Sequence, residues 1–313
     1  MPDIAQVHHD VALTNVSIAY RNAALIAGDI APEVAVRRQS NRYFVYDPAR
    51  EGLRPSDDQR APGAEANEVA FDLSSDSYFC DDHALESVIP DEERENADAP
   101  LAPEIDRVEF LTDKIQLNRE IALAALLKGE GAIPGTSIDD AAQRWDDPEA
   151  DPVDAIEAAR AAIIGATQLL PNTLVLPFEV YHQVRNNPKV ADRVAYARLG
   201  TFGPSELAQL FDVERVLVPR AVRNTAPRGQ APVLSGIWGK DAFLMHVPAR
   251  PGLKTVAPVL TFAWAQAAGS LRGVSVQKWR EERRKATMIR VQKYYDQKLV
   301  APEAAYRIAN AVS

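Results

Sequence analysis

The sequence predicts an α+β fold that combines one long helix, one long β-hairpin and a layered region of short helices and strands. Apolar residues recur at three- and four-residue steps from Pro103 to Leu127, which is the periodicity of a long helix, and Gly129 follows as a stop. Strand-like alternation begins at Tyr43. Residues 145–254 mix short helices with short strands, which indicates an α/β-layered domain.

The composition is that of a folded protein and excludes several functional classes. The 313 residues are 46% hydrophobic and 25% charged, with no apolar run of the about 18 residues that a membrane span needs. The first residues lack the pattern of a secretory signal, and the single cysteine, Cys80, has no internal disulfide partner. The net charge of −9 disfavours a dedicated nucleic-acid-binding protein.

Charge is unevenly distributed along the chain. Acidic residues dominate from Asp47 to Asp98, whereas Lys278–Lys293 is net positive. Two interpretations stay open: the segments meet between copies of the chain, or they are a solvated acidic loop and an unrelated basic strand.

The first 80 residues predict two extended parts. Residues 1–36 have too many apolar groups for a free tail and are too short for a domain, so we expect an arm that lies on another surface. Residues 37–80 predict a long hairpin: a first strand near Tyr43, a polar tract at Asp47–Asn67, and a second strand at Val69–Leu73. Because a two-stranded ribbon is marginal alone in water, this hairpin indicates oligomerisation.

Further elements are predicted in the second half of the chain. Asp151-Pro152 is an N-cap followed by proline at the first helical position, and it predicts a helix to about Gln168. The remaining predicted helices are Phe178–Arg185 and Ser205–Phe211, and the predicted strands are Thr173–Leu176, Val213–Val218, Trp238–Val247, Val259–Trp264, Val274–Trp279, Met288–Tyr295 and Ala305–Val312.

No catalytic motif is present in the sequence. There is no P-loop, dinucleotide glycine fingerprint, zincin helix or serine nucleophile elbow. Cys80 and His83 offer a thiol and an imidazole, but a catalytic dyad needs an orienting third group and a metal site needs further ligands. We therefore expect no catalytic residue, no metal and no cofactor.

Taken in order, several stretches resemble the major capsid protein of tailed bacteriophages, whose fold is also used by encapsulins. They are spread along nearly the whole chain: Leu13–Tyr20, Ile26–Val36, Gln39-Ser40 with Tyr43 and Tyr46, Tyr78–Ile89, Asp91–Ala97, Trp145 with Asp151-Pro152, Leu170–Leu176, Ile237–Ala242 and Tyr294–Val312.

The resemblance implies a division of the chain into four parts. These are an N-terminal arm (1–36), an extended loop (37–80), a peripheral domain (81–135 and 255–300) with a spine helix at 103–127, and an axial domain (136–254 and 301–313). It also implies pentamers and hexamers that close an icosahedral shell around double-stranded DNA. The implied partners are further copies of the chain, a portal protein and, in some members, a decoration protein; assembly would take place in the host cytoplasm and lead to the virion capsid.

The sequence departs from the family in two ways. Some members join subunits by an isopeptide bond from an extended-loop lysine, but here the first lysine is Lys114. We therefore expect a shell held without covalent bonds. Some members also carry a scaffolding segment of roughly a hundred residues before the arm; since Met1 is only about ten residues before the arm-like stretch that begins at Leu13, we expect a separate scaffolding protein.

The residues predicted to contact other subunits belong to the arm, the extended loop and the basic strand around residue 283. They are Ile18, Tyr20, Tyr43, Phe71, Arg283 and Arg284. The alternatives are an encapsulin-type compartment, which would enclose a cargo enzyme, and a cytosolic hydrolase that uses Cys80 or a carboxylate pair. The hydrolase hypothesis leaves the 37–80 hairpin unexplained.

Overall fold

Strands and helices are interleaved along the whole chain. The structure, a computed structural model, describes residues 8–9, 13–14, 17, 22, 24–45, 55–60, 62–63, 65–69, 74–97, 102–195, 203–252, 255–265 and 274–313. The helices are α1 Ala27–Ile30, α2 Asp91–Glu95, α3 Pro103–Lys128, α4 Pro152–Thr167, α5 Phe178–Asn186, α6 Pro188–Ala195 and α7 Pro204–Leu210. None of these helices has the length and apolarity required to cross a membrane.

Strands form two larger sheets and two separate ribbons within the described residues. The strands are β1 His8–His9, β2 Glu33–Val36, β3 Ser40–Val45, β4 Ser74–Phe79, β5 Asp81–Pro90, β6 Gly135–Ser137, β7 Thr173–Val175, β8 Arg215–Leu217, β9 Val222–Asn224, β10 Leu234–Gly236, β11 Ala242–Met245, β12 Val259–Trp264, β13 Val274–Glu281, β14 Ala286–Leu299 and β15 Ala305–Ala309. Antiparallel pairs β3–β4 and β9–β10 each form a two-stranded ribbon.

The larger sheet is built around β14. This strand pairs antiparallel with β13, β5 and β12, and the short β1 pairs with β13. β2, from the predicted arm, pairs parallel with β12, with Val34 opposite Phe262. The arm is therefore part of the sheet of its own subunit at this point.

Helix α3 lies across both sheets. Its proline at the first turn and Lys128 at the last turn suit the polarity of a helix. Val108 and Ile115 pack in one buried cluster with residues of the larger sheet, and Leu123 packs in another cluster with residues of the second sheet. At 26 residues the helix is about 39 Å long. The predicted spine helix is confirmed, one residue longer than expected.

The second sheet has five strands in the order β6-β15-β11-β7-β8. Its apolar surface is covered by α4, whose Ile156 and Ile163 are buried in the same cluster as Leu174 and Leu244. The Asp151 side chain accepts hydrogen bonds from the backbone N–H groups of residues 153 and 154, which confirms the predicted N-cap.

Two sequence predictions differ from the structure, and one strand was not predicted. The second strand of the hairpin is Ser74–Phe79; Val69, where the predicted strand begins, lies outside any strand and is exposed, and residues 70–73 lie outside the described residues. The strand Asp81–Pro90 is polar and lies at an edge, so its sequence lacks the apolar alternation that indicates a strand. Arg283 and Arg284 lie in a 3₁₀ turn and not in a strand, because the chain reverses there between β13 and β14.

Candidate assembly surfaces

The described part of the arm is fastened to its own subunit by a buried carboxylate. Glu120 of α3 is fully buried and accepts hydrogen bonds from the backbone N–H of Ile26 (3.1 Å) and Ala27 (2.6 Å). It also accepts one from Trp238 Nε1 at 2.6 Å. Burial raises the pKa of Glu120, and these three donors act in the opposite direction by stabilising its ionised form. One side chain thus joins the arm, the long helix and the segment before β11.

An ion-pair group fastens the arm a second time. Glu33 of β2 lies 2.5 Å from Arg119 Nη1 and 2.5 Å from Lys293 Nζ. Arg119 also donates to the carbonyl of Ala31 and to the Thr261 hydroxyl, both at 3.1 Å. The surface on which the described arm residues lie is therefore the subunit's own helix and sheet. The predicted contact residues Ile18 and Tyr20 lie outside the described residues.

The ribbon of β3 and β4, called here the loop ribbon, has one face packed on the larger sheet. Tyr43 and Tyr78 are 4% and 5% exposed, and their rings lie 5.0 and 4.7 Å from that of Phe262. The Tyr43 hydroxyl donates to Asp76 at 3.1 Å. Tyr43 is thus placed to hold the ribbon on its own subunit, so its burial does not favour the predicted contact with another subunit.

The opposite face of the loop ribbon carries exposed aromatic rings. Phe44 is 64% exposed and Phe79 is 53% exposed. The register pairs Phe44 with Ser75 and Phe79 with Ser40, so both rings point to the same side of the ribbon. Phe44 is the aromatic residue of β3 that another copy can reach. The predicted contact residue Phe71 lies outside the described residues.

The acidic tract of the loop and the basic turn are both open to solvent. All described residues from 55 to 69 are exposed, and they include Asp57, Asp58 and Glu68. Arg283 and Arg284 are exposed as well, and the described residues provide neither guanidinium with an acidic partner. The two surfaces have opposite charge, and the described residues of the subunit cover neither of them.

The second ribbon, β9 with β10 and the turn between them, was not predicted. We call residues 222–236 the arginine ribbon. Both strands are exposed except for the half-buried Ser235, and Val222, Val233 and Leu234 are 49%, 57% and 66% exposed. The sequence signal that could have indicated it is the turn tract Ala226-Pro-Arg-Gly between two short β-type runs.

The thiol and the imidazole considered for catalysis, Cys80 and His83, make structural contacts. Cys80 is buried and its Sγ donates to the carbonyl of Phe262 at 3.4 Å; burial raises the pKa of this thiol to about 12. The His83 ring stacks on Tyr295 at 4.1 Å, and burial lowers the pKa of that imidazole. In the described part of the chain no three His, Cys, Asp or Glu side chains are grouped as metal ligands would be.

One cavity belongs to the arm anchor. It has a volume of about 950 Å³ and lies between the arm, α3 and the larger sheet. Its charged lining consists of Asp29, Glu33, Arg119, Glu120 and Lys293, and the last four are engaged by the contacts described above. The cavity therefore marks where the arm is bound.

The sequence has relatives among phage capsid proteins, although no protein-family model matches it. It is 27% identical over 315 residues to the major capsid protein of Pseudomonas phage JBD67, with 97% of each chain covered. It is also 27% identical over 246 residues to the major capsid protein of Burkholderia phage BcepMu, with 78% of each chain covered.

Solved structures with the same fold come from phages and from encapsulins. A phage-related protein from Bordetella bronchiseptica has a TM-score of 0.77 at 24% identity, covering 97% of both chains. The capsid of cyanophage P-SCSP1u gives 0.61 at 11% identity, covering 93% of this chain and 89% of that chain. An encapsulin complex from Synechococcus elongatus gives 0.51 at 12%, covering 97% and 95%.

The fold is therefore that of the shell proteins of phage capsids and encapsulins, as predicted. Within this class the chain is a homologue of phage major capsid proteins, which confirms the resemblance seen in the sequence. These homologues are structural proteins, and the prediction that the chain is not an enzyme is confirmed by them.

Proposed function

We propose that this chain is the major capsid protein of a tailed bacteriophage and that its copies form an icosahedral shell of pentamers and hexamers around double-stranded DNA. The similarity to a phage major capsid protein over 97% of both chains carries this proposal. Exposed apolar residues such as Phe44, Phe79 and Leu234 support it, because a shell would cover them. The protein would be assembled in the host cytoplasm and located in the virion capsid.

The four-part division of the chain is part of this proposal. The larger sheet and α3 correspond to the peripheral domain (81–135 and 255–300), and the five-stranded sheet corresponds to the axial domain (136–254 and 301–313). The arm (1–36) and the extended loop (37–80) would complete the subunit. A separate scaffolding protein, a portal protein and a decoration protein stay predictions from the resemblance.

One subunit contact follows from charge. The acidic tract of the extended loop would lie over Arg283 and Arg284 of a neighbouring copy, since both surfaces are exposed and opposite in sign. The double variant R283E/R284E should assemble less, and its assembly should respond less to added salt. Unchanged assembly together with unchanged salt dependence would rule out this contact.

The shell would be held without covalent bonds. The extended loop at 37–80 contains no lysine, so it cannot supply the amine for a lysine–asparagine bond. Particles boiled in denaturant should run as a single band of one chain on a gel. A ladder of multimers resistant to boiling would contradict this.

Size-exclusion chromatography with electron microscopy of the purified chain tests the function itself. Rings of capsomer size or closed particles are expected, whereas a stable monomer under all assembly conditions would refute the proposal. The encapsulin alternative has the observed fold in its favour. Contents of native particles separate the two, because a phage head contains DNA and a cellular compartment contains a cargo protein.

A further inference from the structure

The arginine ribbon has a surface that its own subunit leaves uncovered. Val222, Val233 and Leu234 are each at least 49% exposed, and no third strand joins the ribbon within the described residues. Its root is firmly held, because Ile237 pairs with Ala221 and receives a hydrogen bond from Lys128 Nζ at 3.0 Å. A two-stranded ribbon with exposed apolar residues gains stability when a partner packs on it.

The charge of this ribbon identifies the chemistry of the partner. Arg220, Arg223 and Arg228 are exposed and form no ion pair with any described residue. No acidic residue occurs between Arg215 and Lys240. A partner surface should therefore combine carboxylates with an apolar group.

A surface of that kind lies on the same domain. Residues 139–149, called here the acidic segment, carry five carboxylates without an ion pair among the described residues: Asp139, Asp140, Asp146, Asp147 and Glu149. Beside them is a groove of about 360 Å³ lined by Asp146, Phe178 and Glu179. The Phe178 side chain is 55% exposed. Carboxylates and an exposed aromatic ring are thus brought together.

The acidic segment and the arginine ribbon extend from opposite edges of the five-stranded sheet, at the same end of that sheet. β6 and β8 are the outer strands of the five-stranded sheet. Ser137 of β6 pairs with Ala309 of β15, and Leu217 of β8 pairs with Val175 of β7. β11 pairs with both β15 and β7, and its register places the two residue pairs at the same end of the sheet. The acidic segment follows Ser137 and the arginine ribbon follows Leu217, so they begin four strand spacings apart, about 19 Å.

We infer that the arginine ribbon of one copy docks on the acidic segment and the Phe178 groove of the next copy. Complementary surfaces at two different places on a subunit form a head-to-tail contact, which closes into a ring when the rotation between copies allows it. The inference rests on the proposed function and names the contact that builds its rings. Exposed valine and leucine side chains favour a protein partner over the nucleic acid that arginine alone would also attract.

Charge reversal on each surface tests the contact with the full chain. R223E/R228E and E149K/E179K change exposed side chains that have no ion pair or side-chain hydrogen bond among the described residues, so both variants should remain folded. Each variant alone should show at least about a tenfold loss of rings, because like charges then face each other. Combining all four changes in one chain should restore assembly.

Mixing the two double variants gives a sharper result. In an alternating ring, every reversed ribbon meets a reversed acidic segment and every normal ribbon meets a normal one. Rings with an even number of subunits should therefore return in the mixture, while five-membered rings should not. R283E/R284E is the matched control, because it reverses two arginines elsewhere and should not be rescued by E149K/E179K.

The remaining outcomes separate the inferred contact from the proposed function and from nucleic-acid binding. Normal rings from R223E/R228E would overturn the inference and leave the proposed function intact, whereas absence of rings from the unmodified chain would count against the proposed function. If R223E/R228E forms normal particles that have lost nucleic acid, measured by absorbance at 260 and 280 nm, the ribbon binds nucleic acid and the inference is wrong.

Discussion

The two ribbons of this protein have similar pairing but opposite relations to their own subunit. The loop ribbon buries Tyr43 and Tyr78 against Phe262, whereas the arginine ribbon buries no large apolar side chain. The first is therefore stabilised within the chain, and the second depends on its root and on what covers it. Under the proposed function, one ribbon would thus be folded in advance and the other would be presented as a surface for a neighbouring copy.

The largest effect on stability is expected when a buried ring of the loop ribbon is removed. Tyr78→Ala should cost about 3 kcal/mol or more of unfolding free energy, because a buried ring is deleted and a cavity remains beside Phe262. Phe79→Ala, at the next residue, should cost less than about 0.5 kcal/mol, since Phe79 is 53% exposed. Urea denaturation of both variants measures the difference, and equal costs would refute the assignment of the two faces.

A smaller effect is expected at Glu120, which anchors the arm and the segment before β11. Glu120→Gln replaces one acceptor oxygen by an NH₂ group that would face a backbone or indole N–H donor, at a cost of about 1–3 kcal/mol. Glu109→Gln on the same helix is the control, because Glu109 has no hydrogen bond among the described residues. Urea denaturation with tryptophan fluorescence measures both, and equal stability of the two variants would show that the anchor is unimportant.

The same variant has a pH signature. Burial raises the folded pKa of Glu120 above its ordinary value, so folding favours the protonated form. The stabilisation that comes from protonated Glu120 is present at lower pH and is lost as the pH rises through the folded pKa. Glu120→Gln should lack this decline, and parallel stability–pH curves for the two proteins would contradict it.

The exposed face of the arginine ribbon should have little effect on the isolated subunit. V233S/L234S should change the unfolding free energy by less than about 0.5 kcal/mol, because both side chains are more than half exposed. The same variant should assemble several-fold less well in size-exclusion chromatography. A large loss of subunit stability would break the comparison, since it would mean that the ribbon packs on its own chain.

The smallest effect is expected at Cys80, whose thiol should not react with an alkylating reagent in the folded chain. Cys80 is buried beneath the loop ribbon, and its thiol pKa of about 12 keeps it protonated at neutral pH. Iodoacetamide should therefore leave the folded chain unmodified and label the unfolded chain, as mass spectrometry can show. Tyr78→Ala should increase the labelling rate, and rapid labelling of the unmodified folded chain would contradict the packing of this ribbon.

The sequence predicted elements whose signals are local. Helix α3 was found because its periodicity is continuous and its ends are marked by Pro103 and Gly129. The α4 cap was found because Asp151-Pro152 is a short-range pattern. Element type followed from neighbouring residues in both cases.

What the sequence did not predict depends on contacts between distant residues. Alternation near Tyr43 indicated a strand, but which face is buried depends on Phe262, far along the chain. The strand β5 is polar because it lies at an edge and packs partly on α3, so its pattern resembles that of a loop. The arginine ribbon has no apolar alternation, since its own subunit buries neither of its faces.

The edge strand β5 has features that disfavour pairing with a strand of another chain. Among the described strands it pairs only with β14, so ten residues of backbone on its other side could template another strand. Asp81, Asp82 and Glu86 place negative charge along it, and the strand ends at Pro90, which has no N–H to donate. A second copy approaching edge to edge would bring further carboxylates to this strand, which disfavours pairing through its open backbone.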